Sequence, residues 1–141
     1  MEGYDLGALQ AELIRDEGER LKPYKDTVDK TTIGIGRNLD DKGISHDESL
    51  MLLANDIADA EDFLNRNLPW WAELDDVRMR VLLNMAFNLG GKLLQFKNTL
   101  GAVQRHDWQA AHDGMLDSLW AKQVGARAQR LAYMMLHGET Q

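Results

Sequence analysis

The run from Val77 to Leu89, V-R-M-R-V-L-L-N-M-A-F-N-L, constrains this chain more than any other stretch. It is the most apolar part of the sequence and reads as a central buried helix. Asp75 or Asp76 can cap its start, and Gly90-Gly91 ends it. Before it, Pro69-Trp70-Trp71 breaks a preceding helix and supplies aromatic mass. After it, two shorter helices are expected at about Lys97 to Gln104 and Trp108 to Leu116, with Asp107 capping the second. A last helix follows Gly125, with Ala128, Leu131 and Met135 on one side and Arg127 and Arg130 three positions apart. Trp120 reads as core between helices.

Upstream the pattern is different. Leu6, Leu9, Leu13 and Ile14 recur at the helical period, Asp5 is placed to cap that helix, and Gly18 is placed as its left-handed stop. Residues 21 to 44 form a strand-and-turn region closed by the turn-rich Asp40-Asp41-Lys42-Gly43. Ser45 and Glu48 make a capping box. The helix it opens has apolar or small positions at Leu50, Leu53, Ala54, Ile57, Ala58 and Leu64 and continues to about Asn65. With one apolar side and long polar flanks, such a helix suits a place between two packed units. The expected fold is therefore α+β and mostly helical. Its pieces are a small β region at about 20–45, a helix at about 46–65 and a helical region at about 70–141.

Composition narrows the function. A chain of 141 residues and 16.0 kDa holds one substantial core or two small lobes sharing a helix. It has no cysteine, which removes disulfides and cysteine metal sites and fits folding in a reducing cytoplasm. His46, His106, His112 and His137 form no ligand pattern, and His106 and His112, which straddle Trp108, suit surface or packing roles. No apolar run is long enough to span a membrane, and the acidic start Met1-Glu2-Gly3-Tyr4-Asp5 is unlike a signal peptide. Residues 1 to 77 carry 19 acids against 8 bases, and residues 78 to 141 carry 4 acids against 8 bases. That asymmetry suits complementary sides of a cleft as well as plain solubility, and it argues against a nucleic-acid partner. No repeat or flexible linker is visible.

Chemistry concentrates between Glu12 and Arg37, E-L-I-R-D-E-G-E-R-L-K-P-Y-K-D-T-V-D-K-T-T-I-G-I-G-R. Glu17 lies four residues after Leu13 and three after Ile14, which puts its carboxyl on the protein-facing side of the first helix. A carboxyl there is partly dry, and burial favours the acid form. Tyr24 to Thr27 and Thr31 to Gly36 read as short strands around a polar turn at Val28-Asp29-Lys30. Ile33 and Ile35 share one strand face, and Gly34 and Gly36 leave the other bare, as where backbone or ligand comes close. A protonated carboxyl beside a second, ionised one is what glycosidic hydrolysis needs. By spacing alone, a structural glutamate and two surface acids account for the same residues.

The ordered run D-E-G-x-x-L-x-x-Y-x-D-T, then T-I-G-I-G, resembles the catalytic region of the phage-type lysozymes, the muramidase endolysins of T-even phage type. N-M-A-F-N-L-G at Asn84 to Gly90, and Trp120 with G-A-R-A-Q-R at Gly125 to Arg130, are similar to the same family's later signatures. The resemblance implies a lysozyme-like two-lobed fold over residues 1–141, with the helix at about 46–65 linking a small β lobe at about 20–45 to a helical lobe at about 70–141, against which the helix 5–17 packs. It makes Glu17 the general acid, Asp26 the second carboxylate and Thr32 the hydroxyl that helps hold the attacking water. Asn38, Phe87, Asn88 and Thr99 become sugar contacts, and Arg127 is brought towards Glu17. Arg37 departs from the T-even type, which has a histidine there with a local ion pair. The small lobe is also shorter between the Ile33 strand and the capping box.

What the resemblance implies is a monomeric endolysin that needs no metal or cofactor and inserts into no membrane. It would hydrolyse the beta-1,4 bond between N-acetylmuramic acid and N-acetylglucosamine of bacterial peptidoglycan by an inverting route. It would stay in the host cytoplasm until a separate holin opens the membrane. Two other readings compete. A lytic transglycosylase cuts the same bond to a 1,6-anhydro product and has no use for a second carboxylate, whereas a catalytically silent phage structural or binding protein would have lost Glu17 or Asp26.

Overall fold

A computed structural model describes residues 3–141. The chain divides into two compact units, Met1–Met51 and Leu52–Gln141. The first holds α1 (Leu6–Glu17) and a three-stranded antiparallel sheet, β1 (Arg20–Lys25), β2 (Thr31–Gly34) and β3 (Arg37–Asn38), in that order. The long helix α2 (His46–Asn67) begins in the first unit and runs on into the second. The second unit continues with a 3-10 turn at Pro69–Glu73, α3 (Asp76–Leu89) and a 3-10 turn at Gly90–Gln95. It ends with α4 (Lys97–Gln104), α5 (Trp108–Leu116), α6 (Leu119–Val124) and α7 (Ala126–His137). The α+β, mostly helical expectation holds.

In the second unit α3 is the central helix the apolar run foretold. Val81, Leu82, Met85 and Ala86 are buried on it. They pack with Leu64 of α2, Leu93, Val103 of α4, Met115 of α5, Trp120 of α6 and Leu131 and Met135 of α7 in one apolar cluster. The caps are those the sequence proposed: Asp75 accepts from the Arg78 amide and Asp107 from the Ala110 amide. The helix α6 was not foreseen, and Ser118 caps it by accepting from the Ala121 amide. Arg78 was not foreseen either. Its guanidinium lies 3.9 Å over the Trp108 ring and donates to the last carbonyls of α7, Met135 O at 2.7 Å and Leu136 O at 3.1 Å. Those carbonyls have no partner within their own helix, so a half-buried cation there satisfies both hydrogen bonding and the helix dipole.

The first unit is built differently. Asp5 caps α1 by accepting from the Ala8 amide, as expected. However, no residue of α1 is buried, and Leu6, Leu13 and Ile14 are between 44% and 45% exposed. A sheet whose third strand has two residues offers too little apolar surface within this unit to cover a helix. Gly18 stops α1 with a positive φ of 73°, but its ψ of 168° turns the chain into an extended path rather than a full left-handed cap. The strand bounds also shift. β1 starts earlier than expected and ends at Lys25, leaving Asp26 and Thr27 in the turn. Its register slips between Arg20 and Tyr24, around Pro23, which has no N–H to give a ladder. Ile33 and Ile35 do not share a strand face. β2 ends at Gly34, and Gly34 and Gly36, with φ of 68° and 67°, reverse the chain so that Ile33 pairs with Arg37.

The capping box at the start of α2 is formed: Glu48 N donates to Ser45 Oγ, and Ser45 N to Glu48 Oε1. Leu50, Leu53 and Ile57, expected on a covered face, are 39% to 48% exposed, and burial on α2 is confined to Ala60 and Leu64. The core cluster reaches the helix only near its C-terminal end. Arg37 settles the question its identity raised. Its Nη1 donates to Glu48 Oε1 at 2.9 Å and to the Gly43 carbonyl at 3.1 Å, fastening β3 to the first turn of α2. The Arg37 hydrogen bond, then the Ser45 amide and hydroxyl, hold the Glu48 carboxyl at a pKa of about 2, below its ordinary value of 4.5. A carboxyl depressed on folding contributes stability above its unfolded pKa and loses it as pH falls through the folded one. The melting-temperature gap between wild type and Arg37→Ala, measured by circular dichroism, is therefore expected to be full at pH 6 and to close between about pH 4.5 and pH 2. A gap that stays constant over that range would rule out this pair as its source.

Candidate active site

The hairpin β1–β2 brings Asp26 and Thr32 to the same peptide group. The amide of Asp26 donates to Lys30 O at 2.9 Å, and the hydroxyl of Thr32 donates to the same oxygen at 3.0 Å. Asp26 in turn organises its own turn, because its Oδ1 accepts from the amides of Val28 at 2.9 Å and Lys30 at 2.8 Å. This is an aspartate's usual talent in tight turns, and Asp29 completes the reversal with a φ of 63°. Oδ2 of Asp26 accepts no hydrogen bond among the described residues and is left for a ligand or water. Thr32 is 3% exposed and is the one buried residue among the described residues of the first unit. Its hydroxyl proton is committed to Lys30 O, so the lone pairs of Oγ1 remain for accepting.

Glu17 sits at the last turn of α1, exposed rather than partly dry as its place in the helical pattern suggested. The apolar neighbours Leu13 and Ile14 that were to shelter it are themselves exposed. What locates its carboxyl is the β2–β3 turn. A Cβ built on Gly36 would fall 2.6 Å from Glu17 Oε2 and 3.0 Å from its Cδ, so the glycine leaves room for the carboxyl to lie on the backbone. The bare glycine face read from T-I-G-I-G thus has a tenant at Gly36, and it is Glu17.

Asn38, on β3, pairs with Thr32 in register and spends its side chain on the following turn, donating to Asp41 Oδ2 and accepting from the Asp41 amide. The remaining candidates lie in the helical unit. Phe87, 46% exposed, and Arg127 line a cavity of about 420 Å³ together with Leu53, Ile57 and Asn84. The Arg127 guanidinium donates twice to Asn84 Oδ1, at 2.7 and 3.0 Å. Thr99, 7% exposed, lines a second cavity of about 570 Å³ with Phe96, Trp120 and Gln123. Asn88 is exposed and accepts the Trp120 indole N–H at 2.8 Å, so its carbonyl oxygen holds the buried indole. Sequence reasoning did not find the Lys30 carbonyl or the contact of Glu17 with Gly36. A backbone oxygen leaves no side-chain signature, and a pair nineteen positions apart is set by the fold.

A family model described as phage lysozyme matches residues 15–133. Over 89% of its length the chain is 31% identical to the pre-baseplate central spike protein Gp5 of Enterobacteria phage T4, of which it spans 27%. It is 30% identical to probable T4-type lysozyme 1 of Dictyostelium discoideum, with 89% of this chain and 92% of that protein covered. It is also 30% identical to the endolysin of Salmonella phage P22, over 78% of each chain.

Gly36 and Gly34 allow a clean separation of backbone from contact. Alanine at either position meets a positive φ and costs about 1–2 kcal/mol, yet nothing lies within 4 Å of the Cβ position at Gly34. Gly36→Ala and Gly34→Ala are expected to destabilise the fold similarly in chemical denaturation. Only Gly36→Ala should move the carbon-13 resonance of the Glu17 carboxyl. Equal displacement by both variants would show that the carboxyl is not held at Gly36.

Proposed function

The chain belongs to the phage lysozyme family, and from that premise we propose that it hydrolyses the beta-1,4 bond between N-acetylmuramic acid and N-acetylglucosamine in bacterial peptidoglycan. The observation that carries the reading is the shared anchor of Asp26 and Thr32 on Lys30 O, in the same small unit as a carboxyl seated on Gly36. Glu17 is the general acid. Its carboxylic acid form carries the proton that the leaving group needs. That proton passes to the glycosidic oxygen as its bond to the anomeric carbon breaks. A water attacks the opposite face of that carbon, giving one proton to Asp26 Oδ2 and directing the other at the lone pairs of Thr32 Oγ1. Solvent exchange then restores the acid on Glu17 and the carboxylate on Asp26.

Asp26 as base rather than nucleophile makes the route inverting. Thr32 supports this choice, because a hydroxyl that orients water has no use if a carboxylate attacks the sugar directly. Glu17→Gln is expected to lower the clearing of permeabilised Gram-negative cells by at least about 100-fold, with the thermal melt unchanged because the replaced carboxyl is exposed. In the same assay the wild-type enzyme should release the alpha anomer first. Undiminished lysis by E17Q would remove Glu17 from its role. A first-formed beta anomer would reject inversion, and a 1,6-anhydro sugar would make the enzyme a transglycosylase.

Delivery has two readings. In the first, the enzyme acts as an endolysin, as its Salmonella phage relative is named: it is monomeric, stays in the host cytoplasm and reaches the wall after a separate holin opens the membrane. Among the described residues no helix is long and apolar enough to cross a membrane. In the second, favoured by the spike relative, the same catalytic unit acts as part of a phage particle. Fractionation of producing cells distinguishes them. A soluble product that lyses the cell only when a holin is co-expressed is expected, and co-sedimentation with assembled particles would select the second.

A further inference from the structure

We propose that Asp40 is a positioning residue for the attacking water, acting through the Lys30–Thr31 peptide group on Thr32. This rests on the hydrolytic reading of Glu17, Asp26 and Thr32 given above. One peptide plane carries the whole arrangement. Its carbonyl, Lys30 O, accepts from the Asp26 amide and the Thr32 hydroxyl. Its N–H, that of Thr31, donates to Asp40 Oδ2 at 2.7 Å, the shortest side-chain hydrogen bond in the small sheet.

The placement follows from the topology. Thr31 O accepts from the Leu39 amide on the β3 side, and the N–H of the same residue faces that side too. β3 has ended at Asn38, so the ladder offers no further carbonyl, and the Asp40 side chain supplies the acceptor instead. Neighbouring bonds fix the surround: Lys25 Nζ donates to Thr31 Oγ1 at 2.9 Å, and Lys30 Nζ pairs with Asp41 at 3.1 Å. The Thr31 amide bond, with Lys25 and Lys30 nearby, holds the Asp40 carboxyl below its ordinary pKa, so it is ionised at neutral pH.

An ionised acceptor on the N–H end of a peptide polarises it, and its carbonyl becomes a stronger acceptor. The Thr32 hydroxyl proton is then held towards Lys30 O, which turns the lone pairs of Oγ1 to the water. Without Asp40 the hydroxyl is freer to rotate, and the water loses its preferred orientation while the sugar-binding surfaces are untouched. The predicted effect therefore falls on kcat and leaves KM nearly unchanged.

A double-mutant cycle with soluble peptidoglycan fragments as substrate tests this. Asp40→Ala should lower kcat by about five- to ten-fold, with KM within about twofold. Asp40→Asn, which keeps a neutral acceptor, should recover part of the loss. In a Thr32→Ala background, Asp40→Ala should cost nothing further. A parallel readout needs no turnover: the Thr31 amide proton should resonate well downfield in wild type and move upfield in D40N as in D40A, less so in the former. Unchanged kcat in D40A, a kcat loss that multiplies with that of T32A, or a Thr31 amide unaffected by either substitution overturns the proposal. If D40A does not fold, D40N alone decides, because an Asn variant with full kcat and an unmoved Thr31 amide has the same force. Full activity of E17Q would instead reject the hydrolytic reading, and the amide shift would still report whether Asp40 holds the peptide.

Discussion

The constraint on which the small lobe depends is its lack of a core. Thr32 is its one buried residue among those described, and the apolar cluster lies wholly in the helical unit. A three-stranded sheet with a two-residue edge strand cannot be stabilised by apolar burial at about 25 cal/mol per Å², so polar side chains hold its backbone. Asp26 holds the β1–β2 turn, Asp40 the edge of β2, Asn38 and Asp41 the following turn, and Arg37 with Glu48 the passage into α2. Asp26, Asp40, Asp41 and Glu48, from the acidic first half of the chain, do this scaffolding. A consequence is that residues proposed for chemistry also carry structure. Asp26 commits one oxygen to its turn and leaves the other for the chemistry proposed for it.

The helical lobe follows the opposite rule. Its elements were legible because burial imposes a period on the sequence: Val81, Leu82, Met85 and Ala86 on α3, and Ala128, Leu131 and Met135 on α7, repeat at helical spacing. Asp75 and Asp107 were legible as caps for the same reason, standing just before such runs. Arg78 was hidden inside that signal. In a run of alternating apolar residues and arginines it looks like a solvated base, yet it is turned onto Trp108 and the end of α7, a contact 57 positions away in sequence. Local pattern carries no information about partners at that separation.

The candidate site divides along the same line. Glu17, Asp26 and Thr32 were singled out by an ordered motif, and Gly36 was readable as a place of close approach. The dry environment of Glu17 was not, because helical spacing says which residues share a face and not whether anything covers that face. Leu13 and Ile14 share it and are open. The Lys30 carbonyl and the Asp40 carboxylate were illegible for another reason. Their contribution depends on where β3 stops, and a two-residue strand leaves no alternation to read.

Arg37 shows how one departure from a family pattern redistributes pH sensitivity. Histidine at this place would change its charge between pH 5 and 8, so an ion pair built on it would weaken within the range where a wall-degrading enzyme acts. A guanidinium stays charged throughout, and its several N–H groups let Nη1 serve the Gly43 carbonyl and Glu48 together. The titrating partner is then Glu48, which the same guanidinium and the Ser45 cap hold at about 2. The junction between β3 and α2 is thereby insulated from neutral and mildly acidic pH. Because Arg37 follows Gly36 directly, the turn that seats the Glu17 carboxyl is anchored by a contact that holds at neutral and mildly acidic pH.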